Sequence, residues 1–200
     1  MDEILPGVFH WTTWHPKIEL FVSSYFLAPE RVVLDPMVPR EGLDGFPGEP
    51  AHVLLTNRHH FRDSAPFRER FGCDVRCVEQ GLHEFTPAQR VISFQFGDVL
   101  PGGIEAIEIG ALCPDETALF LARDGGIVAV ADGVIRDEGG PLRFVQDDFM
   151  GDDPEADKRG LRAAYRRLCE ERAFDTLLVA HGLPWVGDAR EVLRRYVLQP

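Results

Sequence analysis

Short apolar segments, separated by turn residues, follow one another along most of the 200-residue chain. A segment such as Val53–Leu55 is apolar and lacks Gly and Pro, which is typical of a buried strand. The pattern predicts strands over residues 7–14, 19–27, 31–35, 52–56, 74–78, 91–96, 104–109, 117–122, 127–131 and 176–180. Short turns separate the first three strands, so an antiparallel meander is expected there. Residues 123–126, Arg-Asp-Gly-Gly, predict a hairpin between two later strands.

Three segments carry helix signals instead. Ser64–Phe71 begins with a good N-cap residue and is followed by Gly72, a residue that favours a helix end. Asp153-Pro154-Glu155 predicts the start of a second helix, and Asp188 predicts the start of a third that runs to about Val197. Residues 37–50 and 137–152 are expected to be loops. Strands come first and strand–helix units follow, which indicates an α/β sandwich with sheets inside and helices outside.

Composition and net charge argue against several classes of protein. Hydrophobic residues make up 44% and charged residues 27%, which is typical of a globular chain. The net charge of −12 argues against binding to nucleic acid or to anionic membranes. No apolar segment approaches the ~20 residues that a membrane span needs. The acidic N-terminus lacks the features of a signal peptide, so a cytoplasmic location and free thiols at the four cysteines are expected.

The chemistry is concentrated in His52–Ser64, where a buried strand leads into the first helix. Asn57, two adjacent histidines, Arg62 and Asp63 follow that strand. Polar residues at the carboxyl end of a buried strand lie where α/β proteins usually bind ligands. The sequence therefore predicts a ligand-binding or catalytic site at this sheet edge.

Several motifs, in order, resemble those of the metallo-β-lactamase fold, including its glyoxalase II-like and lactonase-like hydrolases. They are Gly7-Val8-Phe9, Ser23-Ser24-Tyr25, the apolar strand ending in Asp35-Pro36, the polar stretch from Thr56 to Arg62, Asp132-Gly133 and His181-Gly182. The resemblance spans about residues 6–197. It implies a single domain over residues 1–200 with a four-layer αββα sandwich of the α/β (α+β) class.

The family's metal-ligand motif, Thr-His-x-His-x-Asp-His, corresponds to residues 56–62 of this chain. Its four ligand positions are occupied by Asn57, His59, Phe61 and Arg62. The later ligand positions hold Leu112, which precedes Cys113, then Asp132 and His181. By this resemblance His59, Asp132 and His181 are the remaining metal ligands, and Asn57, Phe61, Arg62, Leu112 and Cys113 line the pocket.

Three ligands are too few for the dinuclear zinc centre of the family. Four ligands hold a structural zinc ion with roughly 10–16 kcal/mol, and each site here keeps only two of them. The Arg62 charge also repels a cation. The expected cofactor is therefore either none or a single divalent ion, namely zinc, manganese or iron.

Three interpretations stay open. One ion between His59, Asp132 and His181 would support hydrolysis of an ester, thioester or lactone, with Asp132 and either His60 or Asp63 as catalytic groups. Alternatively, the pocket is metal-free, with a buried Arg62–Asp132 ion pair, and the protein is a pseudoenzyme or binds a small anion. In the third interpretation the polar cluster has no role and the protein acts through its surface.

Two further expectations complete the analysis. Cys113 could act as a nucleophile with His181 as its base, although an inert thiol is the more common state of a free cysteine. The expected partner is a small-molecule ligand, with no nucleic acid and no membrane, and a homodimer is left open.

Overall fold

The first seven strands form one mixed sheet in sequence order. The computed structural model describes residues 1–199. The strands are β1 (Asp2–Leu5), β2 (Val8–His15), β3 (Leu20–Leu27), β4 (Val32–Leu34), β5 (His52–Leu54), β6 (Asp74–Val78) and β7 (Val91–Phe94). Strands β1 to β4 pair antiparallel, which agrees with the predicted meander, and β4 to β7 pair parallel.

A second sheet contains six strands in the order β15-β14-β11-β10-β9-β8. These are β8 (Val99–Leu100), β9 (Ile104–Glu108), β10 (Thr117–Leu121), β11 (Ile127–Val130), β14 (Thr176–Val179) and β15 (Trp185–Val186), while β12 (Val134–Arg136) and β13 (Leu142–Phe144) form a separate hairpin. Strands β10 and β11 form the predicted antiparallel hairpin. Strand β14 runs parallel to β11, so their carboxyl ends meet at one edge.

Apolar side chains divide between two cores and thereby define the layers. Leu119 and Ala129 of the second sheet pack with the first sheet. Ala118 and Val128, on the opposite face of the second sheet, belong to the core that includes residues of two later helices. The first helix, α1 (Ser64–Phe71), buries Phe67 against the first sheet. Helices α2 (Pro154–Glu171) and α3 (Ala189–Val197) cover the outer face of the second sheet. The predicted αββα order is therefore confirmed.

Helix α2 shows how the sequence specifies this outer layer. Asp153 caps the helix by accepting a hydrogen bond from Ala156 N at 2.9 Å, and Pro154 occupies its first position. Leu161, Tyr165 and Leu168 recur at helical spacing and are all buried. Within residues 1–199 no helix combines the length and the apolar character that crossing a membrane requires.

The elements that the sequence pattern missed are short or lie in loops. Strands β1, β8, β12, β13 and β15 have two to four residues each, too few to show an alternation. The expected loop over residues 137–152 contains β13, which pairs with β12. Leu142 and Phe144 are buried there with residues of the outer helices, so these two side chains join an otherwise acidic segment to the core.

Direct hydrogen bonds join the two sheets near the carboxyl end of β14. Ser23 N donates to Ala180 O at 2.9 Å, and Tyr25 Oη donates to Val179 O at 2.8 Å. The Ser23 hydroxyl donates to Gly182 O at 2.6 Å. Strand β3 thus holds the end of β14, and with it His181, in a fixed position relative to the first sheet.

Gly126 is expected to tolerate alanine poorly. Its φ is +93°, and an added Cβ would lie 2.2 Å from Ala173 O, so the substitution meets both a conformational and a steric penalty. Gly97 has a similar φ of +88° but no atom within 4 Å of the added Cβ. We expect Gly97→Ala to lower the free energy of unfolding by about 1–2 kcal/mol and Gly126→Ala by a further ~1–3 kcal/mol. Urea unfolding of both variants measures the difference, and equal losses would contradict the steric argument.

His10 is expected to make the fold less stable in acid. Its Nε2 lies 3.0 Å from Ser23 Oγ, and burial lowers the pKa of His10 to about 4. The unfolded chain, with a pKa near 6.5, takes up the proton first, so stability is retained above that pH and falls as the pH drops from 6.5 towards 4. The loss amounts to about 3 kcal/mol in total.

Urea unfolding at pH 7.5 and pH 4.5 measures this loss. His10→Gln removes the titrating group and should lose less stability on acidification than the unaltered protein. His83→Gln, at an exposed histidine, is the matched control and should behave like the unaltered protein. A His10→Gln variant that loses as much as the unaltered protein would show that other groups cause the acid sensitivity.

Candidate metal centre

Three potential metal ligands meet where the carboxyl ends of strands from both sheets approach one another. Asp132 follows β11, His181 follows β14, and His60 lies in a 3-10 turn (Arg58–Phe61) just after β5. One ligand atom from each of the three lies within 4.8 Å of the others. Parallel pairing of β11 with β14 and of β4 with β5 brings these strand ends to one edge, as in other α/β ligand sites.

The Asp132 carboxylate is the centre of this cluster. His60 Nε2 and His181 Nε2 each lie 3.0 Å from Asp132 Oδ1. Asn57 Nδ2 donates to the other oxygen, Oδ2, at 2.8 Å. Two side chains from the first sheet and one from the second therefore converge on a single carboxylate.

A second carboxylate, Asp35, holds the opposite side of the His60 ring. His60 Nδ1 lies 3.1 Å from Asp35 Oδ2 and 2.9 Å from Thr56 Oγ1. Thr56 also binds Asp35 through its backbone N at 2.8 Å and its hydroxyl at 2.6 Å. Asp35 and Thr56 are both buried. The His60 ring therefore lies between the carboxylates of Asp35 and Asp132.

Local structure after β5 explains why the ring points inward. Asn57 caps the 3-10 turn, and its side-chain oxygen accepts a hydrogen bond from His59 N at 3.0 Å. The backbone leaves helical geometry at His60, where φ is −91° and ψ is 16°. His60 is consequently buried while its neighbour His59 faces outward.

Electrostatics within the cluster favour charged groups despite burial. Burial and the nearby Arg62 charge lower the pKa of His60, but Asp132 and Asp35 outweigh them and raise it to about 9. Burial by itself would raise the pKa of Asp132, yet the His60 charge and hydrogen bonds from both histidines hold it well below its ordinary value. Asp132 and Asp35 thus stabilise the positive charge of a protonated His60 imidazole that lies between them.

The structure brings together only part of the residue set that the sequence indicated. Asp132 and His181 are adjacent as expected, but the third member is His60 instead of His59. The His59 side chain is 54% exposed, and its nearest ionic partner is Glu84, 3.8 Å away. The motif alignment counts residues from Thr56 and cannot register the kink that turns His60 inward, which is the physical reason for the difference.

Arg62 lies beside the cluster, but its hydrogen-bonding partners differ from the expected one. Its Nη1 donates to the carbonyl oxygens of Ser23 at 2.9 Å and Asp35 at 3.0 Å. The expected direct Arg62–Asp132 ion pair is absent from residues 1–199, and Asn57 takes the contact with Asp132 instead. Arg62 also has a φ of +39°, an unusual value for a residue with a side chain.

The other residues that the sequence predicted for the site make structural contacts around the cluster. Asp63 Oδ2 accepts a hydrogen bond from Val38 N at 2.8 Å, and Phe61 packs on Phe85 with ring centroids 5.9 Å apart. Leu112 N donates to Glu116 at 3.2 Å. Cys113 lines the cleft, but burial and the neighbouring acidic residues raise the pKa of its thiol, which argues against a nucleophilic role.

Two buried acids at the site have no role in the sequence prediction. Asp35 was recognised only as part of a strand-ending Asp-Pro, and its contact with His60 depends on the tertiary fold. Glu116 accepts hydrogen bonds from Leu112 N and Gly133 N, so it ties the loop before β10 to the turn that carries Asp132. Burial raises the pKa of Glu116 to about 7. Glu116 stands between Asp115 and Thr117, so no hydrophobic pattern in the sequence marks it as buried.

The cluster lies at the base of a cleft of about 700 Å³. Its walls include the tip of the β2–β3 hairpin and the segment that precedes α2. His60, Asp132 and His181 all line this space, so a small molecule can reach them from solvent.

Comparison with known proteins identifies the fold. No protein-family model matches the chain, and a search of curated protein sequences gives no match either. Solved structures do match.

An archaeal metallo-β-lactamase superfamily protein from Sulfolobus tokodaii is 12% identical, with a TM-score of 0.67 over 96% of this chain and 84% of that one. A metallo-β-lactamase family protein from Thermus thermophilus is 16% identical, with a TM-score of 0.66 over 98% and 79%. A protein crystallised in a di-iron-bound form is 21% identical, with a TM-score of 0.68 over 89% and 94%. With matches of this extent, the chain is a protein of the metallo-β-lactamase fold.

Proposed function

We propose that the protein is a metal-dependent hydrolase that uses one divalent ion to cleave an ester, thioester or lactone. The observation that carries this proposal is the convergence of His60, Asp132 and His181 within 4.8 Å at the base of an open cleft. Two imidazole nitrogens and one carboxylate oxygen are a usual protein ligand set for a catalytic ion with an open position. The similarity of the fold to a protein with a di-iron-bound form is consistent with this chemistry.

The residues present fit one ion better than two. Asp35 and Thr56 hold His60 Nδ1, which leaves Nε2 directed at Asp132, and a carboxylate behind a ligating histidine is the usual arrangement in metal sites. Residues 1–199 contain no second group of three or more such ligands. Asn57 and the cationic Arg62 occupy positions where the family motif has histidines, so a second ion lacks donors.

Each residue then has a defined task. A divalent ion supplies Lewis acidity towards a carbonyl oxygen and towards the attacking water. Asp35 fixes the orientation and tautomer of His60, and Asn57 fixes the rotation of the Asp132 carboxylate. In the overall reaction the water oxygen joins the acyl carbon, the bond to the leaving oxygen or sulfur breaks, and the leaving group takes up a proton.

A metal-free pocket is the second candidate, and one observation favours it. Protonated His60 can donate to Asp35 and Asp132 together, so the centre is internally neutralised without an ion. In that case the protein would be a pseudoenzyme that binds a small molecule. Anion binding has less support, because the cleft arginines already have partners: Arg58 pairs with Asp115, Arg143 pairs with Asp137, and Arg136 donates to two carbonyl oxygens.

Metal analysis separates these two candidates. We expect protein purified without chelator and dialysed against zinc, manganese or ferrous iron to bind about one ion per chain. His60→Ala removes one of three ligands and should weaken binding by about 100-fold or more, since changing even an outer partner costs 10–100-fold. His59→Ala is the matched control, because the adjacent histidine lies outside the cluster, and it should bind like the unaltered protein.

Titration calorimetry and elemental analysis give the affinity and the stoichiometry. Fewer than ~0.2 ions per chain with every metal would favour the metal-free pocket over the hydrolase. Loss of the ion in His59→Ala but not in His60→Ala would show that His59 is the third ligand, as the motif alignment predicted.

Activity provides a separate test of the same proposal. We expect the metal-loaded protein to hydrolyse simple esters, thioesters or lactones, and Asp132→Asn to reduce kcat/KM by about 100-fold or more because it removes the anionic ligand. Asp63→Asn should stay near the unaltered rate, since Asp63 contacts the Val38 backbone. Hydrolysis that is equal with and without metal, or equal in Asp132→Asn, would contradict the proposed mechanism.

A further inference from the structure

Apolar side chains line two parts of the cleft, and several of them are exposed. Ile18, Leu20 and Phe21 lie at the tip of the β2–β3 hairpin, where Phe21 makes an edge contact with Trp14. Phe149 and Met150 lie in the segment before α2, and Met150 also packs against the outer core. Leu20 is 45% exposed and Phe21 is 61% exposed, although both belong to a regular strand. Apolar surface concentrated in a cleft, unlike single exposed apolar residues elsewhere, indicates a ligand-binding surface.

The polar groups in the same cleft leave little capacity for a charged ligand. Arg143 Nε donates to Asp137 at 2.6 Å, and Arg136 donates to the carbonyl oxygens of Gly140 and Pro184. Arg62 is bound to two further carbonyl oxygens. A net charge of −12 over the whole chain also repels anions. The cleft is therefore suited to a neutral, largely apolar group.

The apolar side chains and the candidate metal ligands lie in the same cleft. Both walls and the His60–Asp132–His181 cluster line one continuous space of about 700 Å³. A substrate whose bond reacts at this cluster therefore has its substituents in the space that the apolar side chains line. That volume exceeds what an acetyl group alone would fill, so it can hold a longer chain or a ring.

We propose that the cleft selects substrates with an apolar acyl group of medium length, which lies between the β2–β3 hairpin tip and the Phe149 segment. This inference rests on the proposed hydrolase function and adds the substrate class to it. The acyl carbon is the atom attacked by water in that reaction, and the apolar chain attached to it supplies binding energy without taking part in the bond changes. Longer chains should thus improve kcat/KM until the cleft is filled.

The first arm of the test measures binding without catalysis. Methyl ketones from 2-hexanone to 2-decanone present a neutral carbonyl and a growing chain but have no bond to hydrolyse. With chelator-treated protein we expect calorimetry to show Kd falling by about two-fold or more per added CH2, since full burial of one CH2 is worth about four-fold. Leu20→Ala, Phe21→Ala and Phe149→Ala should each flatten this dependence on chain length.

Ile92→Ala is the matched control for Leu20→Ala. Ile92 is 43% exposed, close to the value for Leu20, but it lies on β7 at the far edge of the first sheet and outside the cleft. It should leave the chain-length dependence unchanged. A Kd that is independent of chain length, or a dependence that survives in all three cleft variants, would overturn the proposal.

The second arm uses a series of p-nitrophenyl esters with acyl chains of two to ten carbons and metal-loaded protein. We expect kcat/KM to rise with chain length in the unaltered protein and in Ile92→Ala, and to rise less steeply in the cleft variants. Hydrolysis with no preference for chain length would overturn the acyl inference and leave the hydrolase proposal standing. Chain-length-dependent ketone binding without hydrolysis of any ester would do the reverse: it would support the acyl site and count against the hydrolase.

Discussion

The Asp132 carboxylate is the interaction on which the candidate site depends. It accepts hydrogen bonds from Asn57 and His60, which follow a strand of the first sheet, and from His181, which follows a strand of the second. A buried carboxylate without such partners would be costly, so the site and the contact between the two sheets stabilise each other. Asp35 extends this arrangement behind His60 and leaves the ring little freedom to rotate.

Much of the fold could be predicted because short apolar segments and the turn residues between them act locally. The bounds of α1 at Ser64 and Phe71 and of β6 at Asp74 and Val78 follow directly from the sequence pattern. The four-layer order required the motif resemblance as well, and the parallel pairing from β4 to β7 was not predicted. Short strands such as β12 and β13 could not be found, since their formation depends on burial against distant helices.

The candidate site was predictable in location but not in all of its members. Asp132 and His181 end buried strands, where side-chain direction is set by the sheet. His59 and His60 follow a strand by several residues, and a 3-10 turn with a kink decides which ring faces inward. Asp35 contacts the other nitrogen of His60 from 25 residues earlier in the chain, and no local sequence pattern connects the two. Thr56, four residues before His60, contacts the same nitrogen and is itself bound to Asp35.

The hydrogen bonds from Ser23 and Tyr25 to the end of β14 have a consequence for ligand binding. They hold the His181 segment against the first sheet through backbone and hydroxyl groups that no ligand needs to displace. The entropy cost of bringing the two sheets' residues together is therefore met when the chain folds, before any ligand arrives. A site that is pre-organised in this way keeps more of its contact energy as affinity, because little remains to be ordered on binding.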